Sequence, residues 1–452
     1  MKKSESISEV LKPTSLQKGL LFHAYAVDKE QSDPYIIHLW GILEGPIDQL
    51  MIEKAWKILI DRHVTLRSAF VVKSQAEARH IILNQIPFSI HYENWTSVDT
   101  SRHEALLNEI RTNDRKTAFD PAKPPLFRFY LAKVSDKKWM FLLSHHHLIL
   151  DGWSQSILLK ELTSILNALI QDIDIQLNRA VGPHFTQHQN EKALDVEFWK
   201  KLLDNWQPID IARLQSIIKS EINEATRISH KLSSGITKSI VNFSQNNGIT
   251  PNAIANLAWG CTLAKWFGTN DLCFGLTLAG RNSSSEALSA VGMFVNTLPF
   301  RIKLNNSKSI IDALQEIHNI TVEINSRDLD DLQEIQKIAG ANQSRPLFSS
   351  LLAFENYPAD QNSDSLFKFS NIHSDERTNL PLALVIIPGD NWSVSLQIDT
   401  RSIDVRLAEL MALDFLEFCR LIPLNRSKKL GAIQDASLGN DGVKPYLIPS
   451  LH

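Results

Sequence analysis

The N-terminal part of the chain alternates between segments of helical and of extended periodicity. Apolar residues recur at helical spacing across residues 49–62, and this segment lies between extended runs at residues 36–43 and 68–72. The further elements predicted before residue 150 are a helix at residues 104–117 and strands at residues 126–134 and 138–144. This mixture predicts an α/β fold.

The next predicted helix carries a single apolar stripe. Ser154 is its candidate N-cap, and the stripe consists of Leu158, Leu162, Ile165, Leu166 and Leu169. Residues 178–192 are polar and have no strong period. We interpret them as the crossover between two lobes.

The second part of the chain again mixes helices and strands. Thr250 is a candidate cap for a helix at residues 251–267, because Pro251 is tolerated in a first helical turn. The other predicted helices cover residues 194–206, 237–245 and 407–421, the last of these being the final clear helix. Strands are predicted at residues 228–232, 272–278, 294–304 and 349–354, followed by a hairpin at residues 382–388 and 392–398. Residues 438–443 are loop-like.

Candidate chemistry is concentrated directly after the predicted strand at residues 138–144. Three consecutive histidines, His145, His146 and His147, are followed by Asp151 and Gly152, which gives a His-His-x-x-x-Asp-Gly element. Imidazole titrates near neutrality, so one ring nitrogen can exchange a proton while a hydrogen bond holds the other. A structural histidine cluster is the alternative, but the strand-then-helix context favours proton handling.

This spacing resembles the core motif of nonribosomal peptide synthetase condensation domains, which belong to the chloramphenicol acetyltransferase-like superfamily. Six other segments resemble that family's motifs in the same order, and Gly292-Met293-Phe294-Val295-Asn296-Thr297 is an especially close match. The segments are residues 11–23, 61–67, 119–128, 291–301, 344–348 and 354–358. All seven elements together extend the resemblance from residue 11 to about residue 435.

The resemblance implies an α/β fold with two chloramphenicol acetyltransferase-like lobes, arranged as a V-shaped pseudo-dimer around a central substrate tunnel. We expect an N-terminal lobe at residues 1–180 that carries the histidine motif. A C-terminal lobe with bridging crossover segments should cover residues 181–435, and residues 436–452 should form a tail.

The resemblance also implies an acyltransferase that forms an amide bond between a carrier-bound acyl or peptidyl thioester and an amine. No protein nucleophile is needed, because the thioester is already activated. His147 is the expected catalytic residue, either as general base for the amine or as the group that holds the amine and stabilises charge. Gly152 leaves room for substrate and can offer its backbone N–H to the oxyanion.

Several residues at the site are expected to be structural. The resemblance implies that Asp151 pairs with Arg281, which follows Gly280 in the second lobe, rather than acting as a catalytic acid. His146 should point away from His147 and pack in the core, because side chains alternate along a strand. His145 is also expected to be structural, and Gln17, Phe22 and His23 of the first motif are expected to be mostly scaffold.

Asn296, Thr297 and Tyr357 are expected to line the substrate tunnel. The amide of Asn296 and the hydroxyl of Thr297 could bind substrate backbone, although a structural role is an equal alternative. Packing is the alternative for Tyr357.

Composition narrows the range of partners. The 452 residues, 43% hydrophobic and 21% charged, exceed the usual size of one core and are typical of a soluble globule. A net charge of −3 argues against nucleic-acid binding. Three scattered cysteines (Cys261, Cys273 and Cys419) predict neither disulfides nor a metal cluster. No signal peptide or membrane span is apparent, so we expect a cytoplasmic protein.

The resemblance implies no covalently bound cofactor, because the substrate arrives on the phosphopantetheine arm of an acyl or peptidyl carrier protein. The acceptor is either a second carrier protein or a free amine. The chain contains no Leu-Gly-Gly-x-Ser carrier segment and starts close to the first motif, so we expect a free-standing enzyme or a domain that ends at a natural chain terminus. An ester-forming or epimerizing relative and a catalytically silent docking module are the alternatives. Intact His147, Asp151, Gly152 and Arg281 argue against silence.

Overall fold

The computed structural model describes residues 6–26, 33–72, 78–182, 194–209, 211, 225–282, 285–342, 344–356 and 366–439. The chain forms two compact units, each assembled from separated segments. Unit 1 consists of Met1–Ala193, Arg281–Val295 and Tyr357–Arg377, and unit 2 consists of Leu194–Gly280, Asn296–Asn356 and Thr378–His452. The sequence predicts a single boundary after residue 180, whereas two later segments return to unit 1. Arg281 therefore belongs to the same unit as Asp151, in one of the two segments that return to unit 1 from the second part of the chain.

The described residues of unit 1 form two sheets. Its strands are β1 Ile7–Leu11, β2 Ile36–Glu44, β3 Ser68–Val72, β4 Ala78–Leu83, β5 His91–Asn94, β6 Phe127–Ser135, β7 Lys138–His146 and β12 Lys368–Asp375. Its helices are α1 Ser15–Ala26, α2 Gln49–Arg62, α3 His103–Lys116 and α4 Gly152–Gln171. The strand orders are β1-β4-β3 and β12-β2-β7-β6-β5.

Strand β7 lies at the centre of the five-stranded sheet and is covered on both faces. Trp139, Phe141 and Leu143 belong to the main core of unit 1, while Leu142 packs in a smaller cluster with Trp95. Burial of both faces explains why this strand reads as a continuous apolar run. The strand that carries the histidines is thereby held rigidly in the middle of the unit.

Unit 2 is organised around one six-stranded sheet. Its strands are β8 Ala225–Lys231, β9 Asp271–Leu278, β10 Asn296–Lys303, β11 Ser350–Phe354, β13 Leu382–Ile387 and β14 Ser393–Asp399, in the order β10-β9-β11-β13-β14-β8. Its helices are α5 Val196–Leu202, α6 Ser234–Asn247, α7 Pro251–Phe267, α8 Ile310–Asn325, α9 Leu332–Ala339, α10 Val405–Leu424 and α11 Leu430–Gly439. Helix α7 is buried almost all round, in keeping with its lack of a polar face.

Several predicted elements are confirmed at their boundaries. Helices α2 and α7 and strand β3 have the predicted limits, and the Thr250 hydroxyl accepts a hydrogen bond from the Ala253 N–H as a cap. Strands β13 and β14 pair as the predicted antiparallel hairpin. Cys261, Cys273 and Cys419 are buried free thiols.

Other predictions are wrong. Helix α4 starts at Gly152, and its N-cap is Asp151 rather than Ser154, because the Asp151 carboxylate accepts from the Ser154 N–H. Helix α5 ends at Leu202, short of residue 206. Leu438 and Gly439 lie in α11, a helix that the sequence pattern does not predict.

Some predictions fall on parts of the chain that the structure does not describe. Tyr357, residues 440–452, most of the crossover and the side chain of His23 lie outside the described residues. Within the described residues, we find no helix both long and apolar enough to cross a membrane.

Candidate active site

The candidate site lies in unit 1, where β7 ends and the chain turns into α4. Pairing with β2 places His146 opposite Ile36 and His145 opposite Ile37. His145 and His146 are fully buried, and His147 retains 9% exposure. The three consecutive imidazoles have different hydrogen-bond partners, and these partners give the three rings different tautomers or charges.

His147 is fixed by a backbone carbonyl. Its Nδ1 lies 2.8 Å from the carbonyl oxygen of Leu150, and the backbone N–H of His147 donates to the carbonyl of Tyr35. A carbonyl can only accept, so Nδ1 must carry a proton. Nε2 is therefore the ring nitrogen through which His147 can exchange a proton with a substrate.

Nε2 of His147 lies 2.8 Å from Oε1 of Glu376, the residue directly after β12. Burial alone would lower the pKa of His147, but the negative charge and hydrogen bond of Glu376 raise it to about 9. Both ring nitrogens thus face acceptors. The structure favours an imidazolium at this position.

His146 is held as the opposite tautomer. Its Nδ1 accepts from the Leu148 N–H at 3.0 Å, so the ring proton resides on Nε2, which donates to Asp33 at 3.1 Å. With its lone pair already occupied by a backbone N–H, His146 has no nitrogen left to accept a substrate proton. Its burial agrees with the packing role expected from the sequence.

His145 is held neutral. Its Nδ1 lies 3.3 Å from the His146 carbonyl, and its Nε2 lies 2.9 Å from Nε2 of Gln155 on α4. Burial, together with the nearby charge of His147, lowers the pKa of His145 to about 3. These contacts connect His145 to the first turn of α4 and indicate a structural role.

Asp151 fixes the turn that follows the histidines. Its carboxylate accepts from the Ser154 N–H at 2.8 Å as the cap of α4 and from the Phe294 N–H at 3.0 Å. Nη2 of Arg281 donates to both carboxylate oxygens, at 3.0 and 3.1 Å. This carboxylate is fully used within its surroundings and does not reach His147 as the orienting acid of a triad does.

Arg281 is buried and joins several backbone segments to Asp151. Its Nη1 donates to the carbonyls of Ala287 and Ala290, and its Nη2 also donates to the hydroxyl of Ser154. That hydroxyl donates to the carbonyl of Gly292 and accepts from the Gly292 N–H. Ser154 is therefore a bridge between α4 and the 281–295 segment.

Gly152 is the first residue of α4. The first N–H groups of a helix have no intrahelical partner and carry partial positive charge. Its N–H is suited to an oxyanion, although the oxyanion role of Gly152 stays a prediction.

Asn296 and Thr297 belong to unit 2, at the start of β10. The Asn296 amide donates to the carbonyls of Asp328 and Asp330, at 3.0 and 2.9 Å, and its Oδ1 accepts from the Thr297 N–H. These contacts give Asn296 a structural role. The substrate contact expected of Asn296 and Thr297 stays a prediction.

Comparison with known proteins decides the family. The sequence model of the condensation-domain family matches residues 7–402 of this chain. The chain belongs to the condensation-domain family. It is 29% identical to one component of the linear gramicidin synthase of Brevibacillus parabrevis over 404 aligned positions, and the alignment covers 86% of this chain and 5% of that protein. It is 24% identical to gramicidin S synthase 2 of Brevibacillus brevis over 463 aligned positions, and the alignment covers 100% of this chain and 10% of that protein.

The chain thus spans a tenth or less of the length of these curated relatives. Solved condensation domains share its fold. The domain of the Monacolin K polyketide synthase MokA superimposes with a TM-score of 0.79 at 16% identity, covering 94% of this chain and 99% of that one. The first domain of the calcium-dependent antibiotic synthetase gives 0.77 at 14% identity, covering 94% and 98%. The predicted α/β fold class is confirmed.

Glu376 is the site residue that sequence reasoning misses. It lies 229 positions from His147 and belongs to none of the seven motif segments. If β12 were predicted, the carboxylate directly after it would make Glu376 a candidate. The sequence pattern does not predict β12, so this signal is missing. Its contact depends on a long-range pairing that one sequence does not reveal.

Proposed function

We propose that this condensation domain forms an amide bond between an acyl or peptidyl group, delivered as a thioester on the phosphopantetheine arm of a carrier protein, and an amine acceptor. The observation that carries the proposal is the fixed geometry of His147. The Leu150 carbonyl holds a proton on Nδ1 and leaves Nε2 as the exchanging nitrogen. Membership of the condensation-domain family of peptide synthetases supports the same chemistry.

In this reaction the amine nitrogen attacks the thioester carbon. A C–N bond forms, the C–S bond breaks, and the proton lost by nitrogen ends on the thiol sulfur, so no net proton is consumed. His147 either takes the amine's proton through Nε2 or, as an imidazolium, stabilises charge in the tetrahedral intermediate. In this proposal the Gly152 N–H, at the positive end of α4, binds the oxyanion.

The frame around His147 explains how the turn stays in place. The pair of Asp151 and Arg281 is buried, and both side chains make hydrogen bonds to the α4 start and to the 281–295 segment, so the turn between β7 and α4 has little freedom. Catalysis by a positioned imidazole requires such fixed geometry, because small misplacements cost large factors in rate. Asp151 contributes to the reaction through this frame.

A reconstitution experiment tests the proposal. The full chain is incubated with an acyl-loaded carrier protein and either a free amine or a second, aminoacyl-loaded carrier, and intact-protein mass spectrometry follows the donor. We expect the acyl group to leave the donor as an amide. Amide release that saturates with a free amine identifies a diffusible acceptor, and product only with the second carrier identifies a carrier-bound one.

The control is the His147→Ala chain under the same conditions. Loss of product with His147→Ala, but not with a variant of the exposed Glu286, supports the proposal. Product with an alcohol but with no amine would replace amide formation by ester formation, and a change in the donor's stereochemistry alone would identify an epimerizing relative. Absence of turnover in every arm would favour a docking module.

A further inference from the structure

The Nε2 atom of His147 is occupied in the structure by a carboxylate. Glu376 accepts at 2.8 Å, with its side chain one-third exposed and that of His147 11% exposed. Since Nδ1 is committed to the Leu150 carbonyl, Nε2 is the nitrogen on which any role in proton transfer depends. Whatever is bonded to Nε2 therefore controls the chemistry of His147.

The position of Glu376 is imposed by its neighbours. Strand β12 pairs with β2, with Asp375 opposite His38. Arg115, which is 8% exposed, donates to the Asp375 carboxylate at 2.8 Å and to the Ile36 carbonyl at 3.0 Å. A buried arginine thus anchors the end of β12 to the strand beside β7. Because the end of β12 is held in this way, the next residue, Glu376, lies within hydrogen-bond distance of His147.

We propose that Glu376 is a positioning residue of the condensation site, which holds His147 in one orientation and keeps its Nε2 protonated in the resting site. The geometry supports this directly, because a backbone carbonyl and a carboxylate accept at the two ring nitrogens and only an imidazolium donates to both. The inference rests on the proposed function and extends it, since it selects the imidazolium as the form in which His147 enters the reaction.

The other charges around His147 agree with this assignment. Among the described residues, the titratable groups that act electrostatically on His147 are Glu376 after β12, Asp151 at the start of α4 and His145 on β7, while the neighbouring His146 is bonded to Asp33. Asp151 is already paired with Arg281, and His145 is held neutral by burial. Glu376 is therefore the carboxylate that sets the charge of His147.

Starting from an imidazolium, the reaction balances without an outside proton. The amine nitrogen bonds to the thioester carbon, and the tetrahedral oxyanion is stabilised beside the positive charge of His147. As the C–S bond breaks, Nε2 passes its proton to the thiolate sulfur, and the surplus proton of the amine nitrogen replaces it on Nε2. After each cycle His147 is again an imidazolium that is hydrogen bonded to the Glu376 carboxylate.

An NMR titration tests the pairing independently of activity. The imidazole signals of the full chain are followed against pH, and His147 is assigned by its absence in His147→Ala. We expect His147 in the wild type to titrate at about 9. In Glu376→Gln its pKa should fall by about 1–3 pH units, the size of effect that a close opposite charge has on a pKa. An unchanged value in Glu376→Gln would overturn the proposal.

A pH–rate profile tests the link to catalysis. With a weakly basic amine acceptor, the acceptor titrates below the histidine, and a falling limb near pH 9 reports loss of the imidazolium. Glu376→Gln should move this limb to lower pH by about as much as it lowers the pKa of His147. Glu376→Asp keeps the charge on a shorter side chain, so its limb should lie close to that of the wild type. Glu286→Gln, at an exposed carboxylate of the same unit, is the matched control and should leave the limb in place.

The outcomes separate the two proposals. If no amide forms, the proposed function fails, and the titration still decides whether Glu376 controls His147. If amide forms but the limb rises through the pKa of His147, the neutral imidazole is the active form and the inference is overturned. Thermal melting of each variant shows that it is folded.

Discussion

Nδ1 of His147 lies 2.8 Å from the carbonyl oxygen of Leu150, three residues further along the chain. This contact fixes a protonated Nδ1 and so determines which ring nitrogen is available for chemistry. The adjacent His146 has the reverse arrangement, because its Nδ1 accepts from the Leu148 N–H. The backbone of a single turn thus fixes the ring proton on Nδ1 in His147 and leaves Nδ1 as an acceptor in His146.

The first prediction concerns these two histidines. His147→Ala should lower turnover by about 10²–10⁴ fold with a weakly nucleophilic amine, the range typical of a positioned acid–base group. His146→Ala should instead reduce the free energy of unfolding by about 1–3 kcal/mol, because Asp33 and the Leu148 N–H each lose a buried partner. Steady-state rates and chemical denaturation measure the two effects. A near-normal rate for His147→Ala would remove it from the mechanism.

The second prediction concerns the buried pair of Asp151 and Arg281. Each single alanine variant should lose about 3–5 kcal/mol of stability, because it leaves an uncompensated buried charge. The double variant should lose less than the sum of the singles. Denaturant unfolding of the four proteins gives the coupling energy.

A matched variant separates the ion pair from the helix cap. Asn in place of Asp151 can still accept from the Ser154 N–H, so Asp151→Asn should be less destabilising than Asp151→Ala. Additive losses in the cycle, or an Asp151→Ala protein with normal stability and no activity, would contradict the structural role of this carboxylate.

How far the sequence predicts the site depends on the range of the contacts. The turn from His147 to Gly152 is local, and its motif alone makes His147 and Asp151 candidates. The pairing of Asp151 with Arg281 follows from a family resemblance, whereas the packing that places both residues in unit 1 does not. Glu376 depends on the pairing of β12 with β2, which brings together residues more than 300 positions apart, and the predicted elements do not include β12.

The elements show the same division. The limits of helix α7 are predictable because its cap and first-turn proline are local signals. Ser154 fits a cap by its residue type, but Asp151 occupies that position and the Ser154 hydroxyl instead bonds to Gly292. A preference for polar residues at helix starts does not distinguish between two candidates three positions apart.

The third prediction concerns acid stability. Burial lowers the pKa of His145 to about 3, whereas an imidazole in the unfolded chain titrates near about 6.5. Below pH 6.5 the unfolded chain binds a proton that the folded protein does not. Stability should therefore fall as pH decreases from 6.5 towards 3, with His145 contributing up to about 1.4 kcal/mol per pH unit.

His145→Asn tests this assignment. The variant removes the titrating group, so its unfolding free energy should depend less on pH than that of the wild type between pH 6.5 and 3. The difference between the two proteins isolates His145 from the carboxylates that also titrate in acid. Parallel curves over this range would show that His145 does not carry the effect.

The fourth prediction concerns Asn296 at the start of β10. Its amide donates to the carbonyls of Asp328 and Asp330, and its Oδ1 accepts from the Thr297 N–H. Asn296→Ala removes these contacts and should lower the free energy of unfolding by about 1–3 kcal/mol. Asn296→Asp should cost more, because a carboxylate oxygen then faces two carbonyl oxygens at about the same separation. If Asn296 binds substrate instead, Asn296→Ala will raise KM for the acyl donor while the unfolding free energy stays that of the wild type.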